Sequence, residues 1–204
     1  MMMRSEKLAH GISWVLHPFL LPVYVMTVML TLTVFALYPT SLKLYLVWVV
    51  SLYTILIPLL AVVVLRSMGF ISDWRIDERR ERILPLLIGL VCYLLCALTM
   101  AKIPSAIFLR KFMLAAACCE GLALVVSLRW KISLHLTAMG AVVALLAVMT
   151  VAEVGRLMLP LSVAILGAGA LASARLELGC HNGLQIAAGF FGGFVTAATI
   201  VLFL

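Results

Sequence analysis

Three polar segments of the chain carry residues whose types and spacing suit the binding of an anion. In one of them Arg175 and His181 stand six residues apart, and Gln185 follows four residues later. On a continuous helix Arg175 and His181 would point about 120° apart, so Gly179 must bend the chain if both side chains meet one ligand. If the last helix begins near His181, Gln185 lies on the same face and can hold an imidazole N–H, which fixes the tautomer of that ring.

A second segment, residues 129–135, contains Lys131, Ser133 and His135 at the start of an apolar stretch. With Ser133 as the N-cap, His135 falls in the first helical turn, where free backbone N–H groups and the helix dipole favour a bound anion. A histidine there can donate a proton to a leaving oxygen. A lone histidine in this position also serves as an interfacial anchor, like Trp130 between its two basic neighbours, so the segment by itself supports either role.

A third segment, residues 73–82, mixes acidic and basic residues ahead of another apolar stretch. Its opposite charges stand three or four residues apart, which is typical of a solvated interfacial helix. The functional alternative is that Arg79 and Arg82, three apart on one helical face, form a guanidinium fork for phosphate oxygens.

The apolar stretches themselves contain one carboxylate, Glu120, and most of the five cysteines. An intramembrane carboxylate is a candidate functional residue, although it can also be protonated and hydrogen-bonded between helices. The cysteines are odd in number and lie mainly among apolar residues, which indicates small core residues rather than a disulfide framework or a zinc site.

The composition of the chain excludes a water-soluble domain. Of its 204 residues, 66% are hydrophobic and 11% are charged, and the mean hydropathy is +1.24, so there are too few polar groups to cover an aqueous surface. The net charge of +7 would suggest a nucleic-acid partner in a soluble protein. In a membrane protein basic residues lie mostly in loops beside anionic lipid, so we expect no nucleic-acid partner.

Cutting the chain at its charged residues predicts the membrane spans, because an unpaired charge at bilayer depth is costly. The remaining stretches are 8–42, 44–65, 83–101, 112–128 (interrupted by Glu120), 132–152, 157–174 and 178–204. About 20 residues cross the hydrocarbon as a helix. We therefore predict an all-α, polytopic transmembrane bundle of about seven helices (six plus an extra or interfacial helix), forming a single integral-membrane domain over residues 1–204. The first stretch is expected to be cut at Pro18 and Pro22, with a short interfacial segment before the span.

With seven spans, the segments 66–82, 129–131 and 175–183 fall on the same side of the membrane as the N-terminus. That side carries ten of the fifteen basic residues, which by the positive-inside rule would make it cytoplasmic. If those residues bind an anion, however, their positions reflect chemistry rather than insertion. The sidedness of the three segments therefore stays open.

Taken together and in this order, the three segments resemble the signatures of the type 2 phosphatidic acid phosphatase and haloperoxidase superfamily. The third signature of that superfamily is Ser-Arg, five residues, His, three residues, Asp, where this chain has Ala174-Arg175, five residues, His181, three residues, Gln185. The spacing matches, and two side chains differ.

The other two signatures are matched more loosely. Pro-Ser-Gly-His is represented by Ile132-Ser133-Leu134-His135, and Lys, six residues, Arg-Pro by Arg75, six residues, Arg82, with Pro85 displaced. Together with His17-Pro18 near the start of the chain, these motifs resemble a diverged bacterial membrane branch of the superfamily.

The resemblance implies a phosphatase that needs neither a metal nor a cofactor. His181 would attack phosphorus to form a phosphohistidine, with Gln185 beside it, and His135 would protonate the leaving oxygen. Arg175, Arg82 and Ser133 would hold the phosphoryl oxygens, with Arg79 and Lys131 completing the candidate phosphate-binding set. The substrate would be a lipid phosphate, such as phosphatidic acid or a polyprenyl phosphate or diphosphate, in what is expected to be a bacterial inner membrane.

Two departures from the signatures keep a second function open. Family members have Asp where Gln185 stands, and a neutral amide keeps the imidazole oriented without stabilising its positive charge. Leu134 replaces a glycine that leaves room for a phosphate near backbone N–H groups. The alternative is a non-catalytic membrane protein that binds phospholipid or polyprenyl phosphate with the same basic residues.

Overall fold

The structure, a computed structural model, describes residues 4–74, 76, 78–103 and 106–203. The apolar stretches of the sequence fold into helices connected by short loops, as the all-α prediction requires. The helices are α1 (Arg4–Val15), α2 (Leu21–Leu32), α3 (Thr40–Ser51), α4 (Ile57–Ser67), α5 (Ile83–Met100), α6 (Ile107–Ser127), α7 (Leu134–Val151), α8 (Met158–Glu177) and α9 (Gly183–Phe203).

Five helical segments among the described residues are long and apolar enough to cross a membrane, which confirms the predicted architecture. Three of them are α7, α8 and α9. A fourth, Thr40–Ser67, joins α3 and α4 through one π-helical turn at Leu52–Leu56, and the fifth, Arg80–Met100, is α5 preceded by a 3₁₀ turn.

The first apolar stretch is broken at Pro18, as the sequence predicts, but the span expected after the break is only a short helix. Residues 16–20 separate α1 from α2, and Pro22 begins α2 instead of breaking it. The helix α2 ends after Leu32, because Thr33 is extended and forms a β-bridge with Gly155. Its 12 residues reach about 18 Å, which is well short of the roughly 30 Å of hydrocarbon in a bilayer.

The helix α6 is longer and more charged than its predicted span. It begins at Ile107 and therefore includes Arg110 and Lys111 as well as Glu120. These charges exclude it from the five apolar helices, yet it packs against α5 and α9 and buries Phe112 and Met113 in the main core.

The centre of the bundle is the contact between α7 and α9, where α7 has the largest buried share of the five apolar helices. Glycines make this contact close: a Cβ at Gly140 would collide with the Phe190 carbonyl oxygen, and one at Gly193 would collide with that of Thr137. One turn nearer the helix starts, a Cβ at Gly189 would lie 2.7 Å from the Ser133 carbonyl oxygen. The beginnings of α7 and α9 are thereby held side by side.

The loops gather at the two ends of the bundle. At one end the Val34 amide donates to the Val154 carbonyl. At the other end the Arg79 guanidinium donates to the Leu128 carbonyl at 2.6 Å. Residues of all three polar segments line one cavity there, namely Trp74, Ile76, Arg82, Leu134, His135, Arg175 and His181.

Candidate functional site

A cavity of about 510 Å³ opens at the end of the bundle where the polar segments meet. Four of the predicted site residues line it: His181, His135, Arg175 and Arg82. They come from the α8–α9 loop, the first turn of α7, the last turn of α8 and the turn before α5. The packing of α7 on α9 therefore brings residues far apart in sequence to one space.

The α8–α9 loop places His181 and Arg175 around the same cavity. The helix α8 ends at Glu177, and Gly179 adopts a left-handed conformation with φ +62°, which bends the chain where the sequence requires it. His181 is buried, with 7% of its surface exposed, while Arg175 is half-buried one turn before the bend.

Gln185 fixes the tautomer of His181. The Gln185 amide N–H donates to Asn182 Oδ1 at 2.9 Å, and Gln185 Oε1 accepts from the Asn182 amide at 3.2 Å, which is a reciprocal cap of α9. That cap identifies the oxygen of the Gln185 carboxamide. Because the same oxygen lies 3.2 Å from His181 Nδ1, Nδ1 must carry the proton, and the lone pair of the neutral ring is on Nε2.

The surroundings of His181 favour its neutral form. Burial lowers the pKa of this imidazole from 6.5 to about 4, and the charges of Arg175, Arg82 and Lys131 act in the same direction, opposed only by the hydrogen bond to Gln185. At neutral pH the ring is therefore uncharged, with its proton on Nδ1 and a lone pair on Nε2.

His135 is anchored in the first turn of α7. Its Nε2 lies 3.2 Å from the Ser13 carbonyl oxygen of α1, which can only accept, so Nε2 carries a proton. Its ring meets the ring of His17 edge to face, with 5.2 Å between the centroids. The second nitrogen, Nδ1, is the one that remains for proton exchange with a ligand.

Arg175 has donor capacity that the protein does not use. Its Nε is buried and has no hydrogen-bond partner among the described residues. Its charge also lowers the pKa of both His17 and His181. A buried guanidinium nitrogen without a partner beside a cavity is a good donor to a bound anion.

The guanidinium fork expected of Arg79 and Arg82 does not form. Arg82 is buried, donates from Nε to the Ile76 carbonyl at 2.8 Å and lines the cavity. Arg79 instead donates to Leu128, which ties the loop to the end of α6, and it does not line the cavity. The two side chains diverge because each guanidinium is bound to a different backbone carbonyl, that of Leu128 for Arg79 and that of Ile76 for Arg82. Arg75, which is matched with Arg82 to the signature Lys, six residues, Arg-Pro, lies outside the described residues.

Two other predicted phosphate ligands also lie away from the cavity wall. Ser133 is the N-cap residue of α7, but its hydroxyl is buried without a partner among the described residues, and the residue packs against α9. Lys131 is half-buried and is close enough to influence the pKa of His181. Neither residue lines the cavity.

The structure adds residues to which the sequence assigned no role at this site. His17, Trp14 and Trp74 line the same cavity, and so does Glu120, whose Oε1 would lie 2.6 Å from a Cβ added at Gly89. The sequence shows His17 only as part of His17-Pro18, and its neighbour His135 is more than a hundred residues away. No local spacing could have joined them.

The arrangement suits an anion with an apolar substituent. Two guanidinium groups and three imidazoles face the cavity, while Ile55, Leu59 and Val62 of the α3–α4 segment form an apolar wall. The described residues contain no group of three or more His, Cys, Asp or Glu side chains that could hold a metal ion. Comparison with protein-family models, curated proteins and solved structures gives no match for this chain.

Proposed function

We propose that the protein is an integral-membrane lipid-phosphate phosphatase that works through a phosphohistidine on His181. The observation that carries this proposal is the placement of His181 itself. Its Nδ1 proton is held by Gln185, its Nε2 is left as a nucleophile, and Arg175, Arg82 and His135 share its cavity.

The first step would transfer the phosphoryl group to the enzyme. The lone pair of His181 Nε2 forms a bond to phosphorus as the bond from phosphorus to the lipid oxygen breaks. A protonated His135 gives its Nδ1 proton to that oxygen, and the charge of the bound phosphate favours this protonated form. The two guanidinium groups stabilise the charge that develops on the phosphoryl oxygens.

The second step would hydrolyse the intermediate. Water attacks phosphorus, His135 takes a proton from that water, and the phosphorus–nitrogen bond breaks to release inorganic phosphate. Throughout both steps Gln185 accepts the Nδ1 hydrogen bond and keeps the ring of His181 in place. The reaction as proposed uses only side chains of the protein.

The walls of the cavity support a lipid substrate. Leu59 of α4 is both exposed on the outer surface and part of the cavity wall, so the apolar wall continues onto the surface that would face lipid. The phosphate of phosphatidic acid or of a polyprenyl phosphate or diphosphate could reach the arginines while its chains stay in the bilayer. We place the protein in a bacterial inner membrane with this cavity toward the periplasm, in line with the superfamily it resembles.

A second candidate function is the binding of lipid phosphate without catalysis. The neutral Gln185 favours it, because its carboxamide holds His181 without the negative charge that would stabilise a positively charged imidazole. A binding protein would retain affinity for the lipid phosphate and release no phosphate from it.

The test is phosphate release from phosphatidic acid and undecaprenyl diphosphate by the purified protein in the presence of a chelator. We expect release by the native protein and loss of at least about 1000-fold in His181→Ala, because the nucleophile is removed. His10→Ala is the matched control, since His10 is a histidine of α1 that does not line the cavity. Equal rates in the native protein and His181→Ala would contradict the proposal.

A further inference from the structure

His17 is an unassigned residue whose ring lies in the same cavity as His135 and His181. It belongs to the short connection between α1 and α2, and its ring is half-buried. The resemblance described above gives it no chemical role. Its contacts nevertheless define where its nitrogens point.

The backbone around His17 is held in one conformation. The amides of Leu20 and Leu21 both donate to the His17 carbonyl, at 2.9 and 3.3 Å. The Thr54 hydroxyl donates to the Phe19 carbonyl at 3.2 Å and so ties the connection to the neighbouring long helix. A ring carried by this connection is therefore already positioned before a ligand binds.

Hydrogen bonding fixes the tautomer of His17. Its Nδ1 accepts from the Phe19 amide at 3.3 Å, so the proton of the neutral ring is on Nε2. Burial, with the charge of Arg175 as a second cause, lowers the pKa of His17 to about 4, which keeps the ring neutral at physiological pH. His17 therefore presents a neutral N–H donor.

The position of that donor connects it to the proposed phosphate site. The ring of His17 is edge to face with His135 at a centroid distance of 5.2 Å. Arg175, whose buried Nε has no hydrogen-bond partner among the described residues, lines the same cavity. Two donors for which the described residues supply no acceptor, one from α8 and one from the α1–α2 connection, thus belong to residues that line the same cavity as His135.

We propose that His17 is an additional anion-binding residue, whose Nε2–H donates to a phosphoryl oxygen of the ligand held by Arg175 and Arg82. The assignment rests on the anion-binding part of the proposed function. A purely structural role for His17 would need only Nδ1, which stabilises the connection through the Phe19 amide.

Two substitutions separate these roles. Asn carries its amide group near the position of Nδ1, so His17→Asn can keep the bond from Phe19 while it loses the outer donor. Gln extends its amide toward the position of Nε2, so His17→Gln can keep the outer donor and lose the inner acceptor. His10→Gln is the control for a histidine outside the cavity.

The measurement is the affinity of the full-length protein in detergent for inorganic phosphate, determined by calorimetry. The same titration is monitored by ¹⁵N NMR of the histidine side chains. We expect His17→Asn to weaken phosphate binding about tenfold, His17→Gln to stay within about threefold, and the His17 Nε2–H signal of the native protein to shift on titration.

The failures are distinguishable. If the native protein does not bind phosphate at all, the proposed function is wrong. If it binds and the His17 Nε2–H signal stays unchanged, or if His17→Asn binds as tightly as the native protein, the assignment of His17 is overturned while the phosphate site stands. If His17→Asn and His17→Gln lose the same amount of phosphate affinity, the His17 Nε2–H signal of the native protein decides. A shift of that signal on titration with phosphate supports the assignment, and no shift overturns it.

Discussion

Gln185 is the side chain on which the chemistry of His181 depends most. Its oxygen serves two donors at once, the Asn182 amide of the α9 cap and the His181 imidazole. The cap therefore holds the carboxamide, and the carboxamide holds the imidazole of His181 in one tautomer. What a neutral amide does not supply is a charge to stabilise the positive ring of a phosphohistidine.

Gln185→Glu should therefore raise turnover. The new side chain has the same length and can retain the bond from the Asn182 amide, while its carboxylate stabilises the charge that forms on His181. We expect the rate of phosphate release to rise about tenfold, equivalent to roughly 1.4 kcal/mol of barrier. Gln185→Ala, which removes both contacts, should reduce the rate about 100-fold. Unchanged turnover in Gln185→Glu would mean that another group already supplies the charge.

The two buried loop histidines predict a specific dependence of stability on pH. The pKa values of His17 and His181 are about 4 in the folded protein, whereas an unfolded histidine has a pKa of about 6.5. Between these values the unfolded state binds more protons. The stabilisation that comes from keeping the rings neutral is thus complete above about pH 6.5 and is lost as the pH falls toward 4.

Thermal unfolding in detergent checks this dependence. The midpoint should fall between pH 7 and pH 4.5, and it should fall less in His17→Gln, which lacks one of the two titrating rings. The ¹⁵N signals of His181 should remain those of a neutral ring with the proton on Nδ1 down to about pH 5. A ring that becomes protonated near pH 6.5 would show that burial does not control it.

For single residues, the sequence predicted which candidates lie together only where they are close to one another along the chain. Arg175, His181 and Gln185 lie within eleven residues and turned out to face one another around a single bend. His17 depends on a contact across the bundle, which no local spacing encodes. The hydroxyl of Ser133 was assigned from its position before a helix, but packing against α9 buries it instead.

Among the elements, the contact of α7 with α9 determines whether His135 and His181, the two histidines of the proposed reaction, can share one cavity. His135 lies in the first turn of α7, and His181 lies in the loop just before α9. The two helices approach closely because glycines stand where they cross. Any side chain added there pushes the helix starts apart.

Gly193→Ala should consequently destabilise the protein and lower activity together. Its new Cβ would collide with the backbone of Thr137, which cannot move without shifting α7. We expect a loss of about 1–3 kcal/mol, measured as a lower midpoint of thermal unfolding.

Gly169→Ala is the matched control for this prediction. Gly169 is exposed on α8, and a Cβ there would meet nothing within 4 Å. Because alanine is the better helix former, this variant should be at least as stable as the native protein. Equal stability of Gly193→Ala and Gly169→Ala would contradict the close approach of α7 and α9.

The sequence predicted the boundaries of helices that end at charged residues. It did not predict the boundaries that depend on contacts with distant residues. Charged residues bound the long segment Thr40–Ser67, and its predicted span was correct. The first apolar stretch carries no charge over residues 8–42, so nothing in its composition shows that Thr33 leaves the helix to pair with Gly155. That pairing depends on a residue more than a hundred positions away.

For the molecule as a whole, the two ends of the bundle have different roles. One end contains the cavity and most of the basic segments, while the other contains the contact between residues 32–34 and 154–156. The segment Thr40–Ser67 runs between the two ends with 28 residues, about 42 Å, which is enough to cross a bilayer.

Cysteine labelling tests this orientation in the membrane. Phe70 and Leu37, both exposed, flank Thr40–Ser67 at its two ends. Cys118 and Cys180 would first be replaced by alanine, since the other three native cysteines are buried. We expect an impermeant reagent to label Phe70→Cys from the periplasm and to label Leu37→Cys only after lysis. Labelling of Phe70→Cys only after lysis would place the cavity on the cytoplasmic side, and labelling of both from one side would contradict the span.

The most direct test of the account is to trap the covalent intermediate. The purified protein, in chelator, would be mixed with a ³²P-labelled lipid phosphate, quenched in alkali, and digested for mass spectrometry. We predict an acid-labile phosphoryl group on His181 that is present in His10→Ala and absent from His181→Ala. Release of phosphate with no label on His181, or label that persists in His181→Ala, would contradict the assignment of this histidine as the nucleophile.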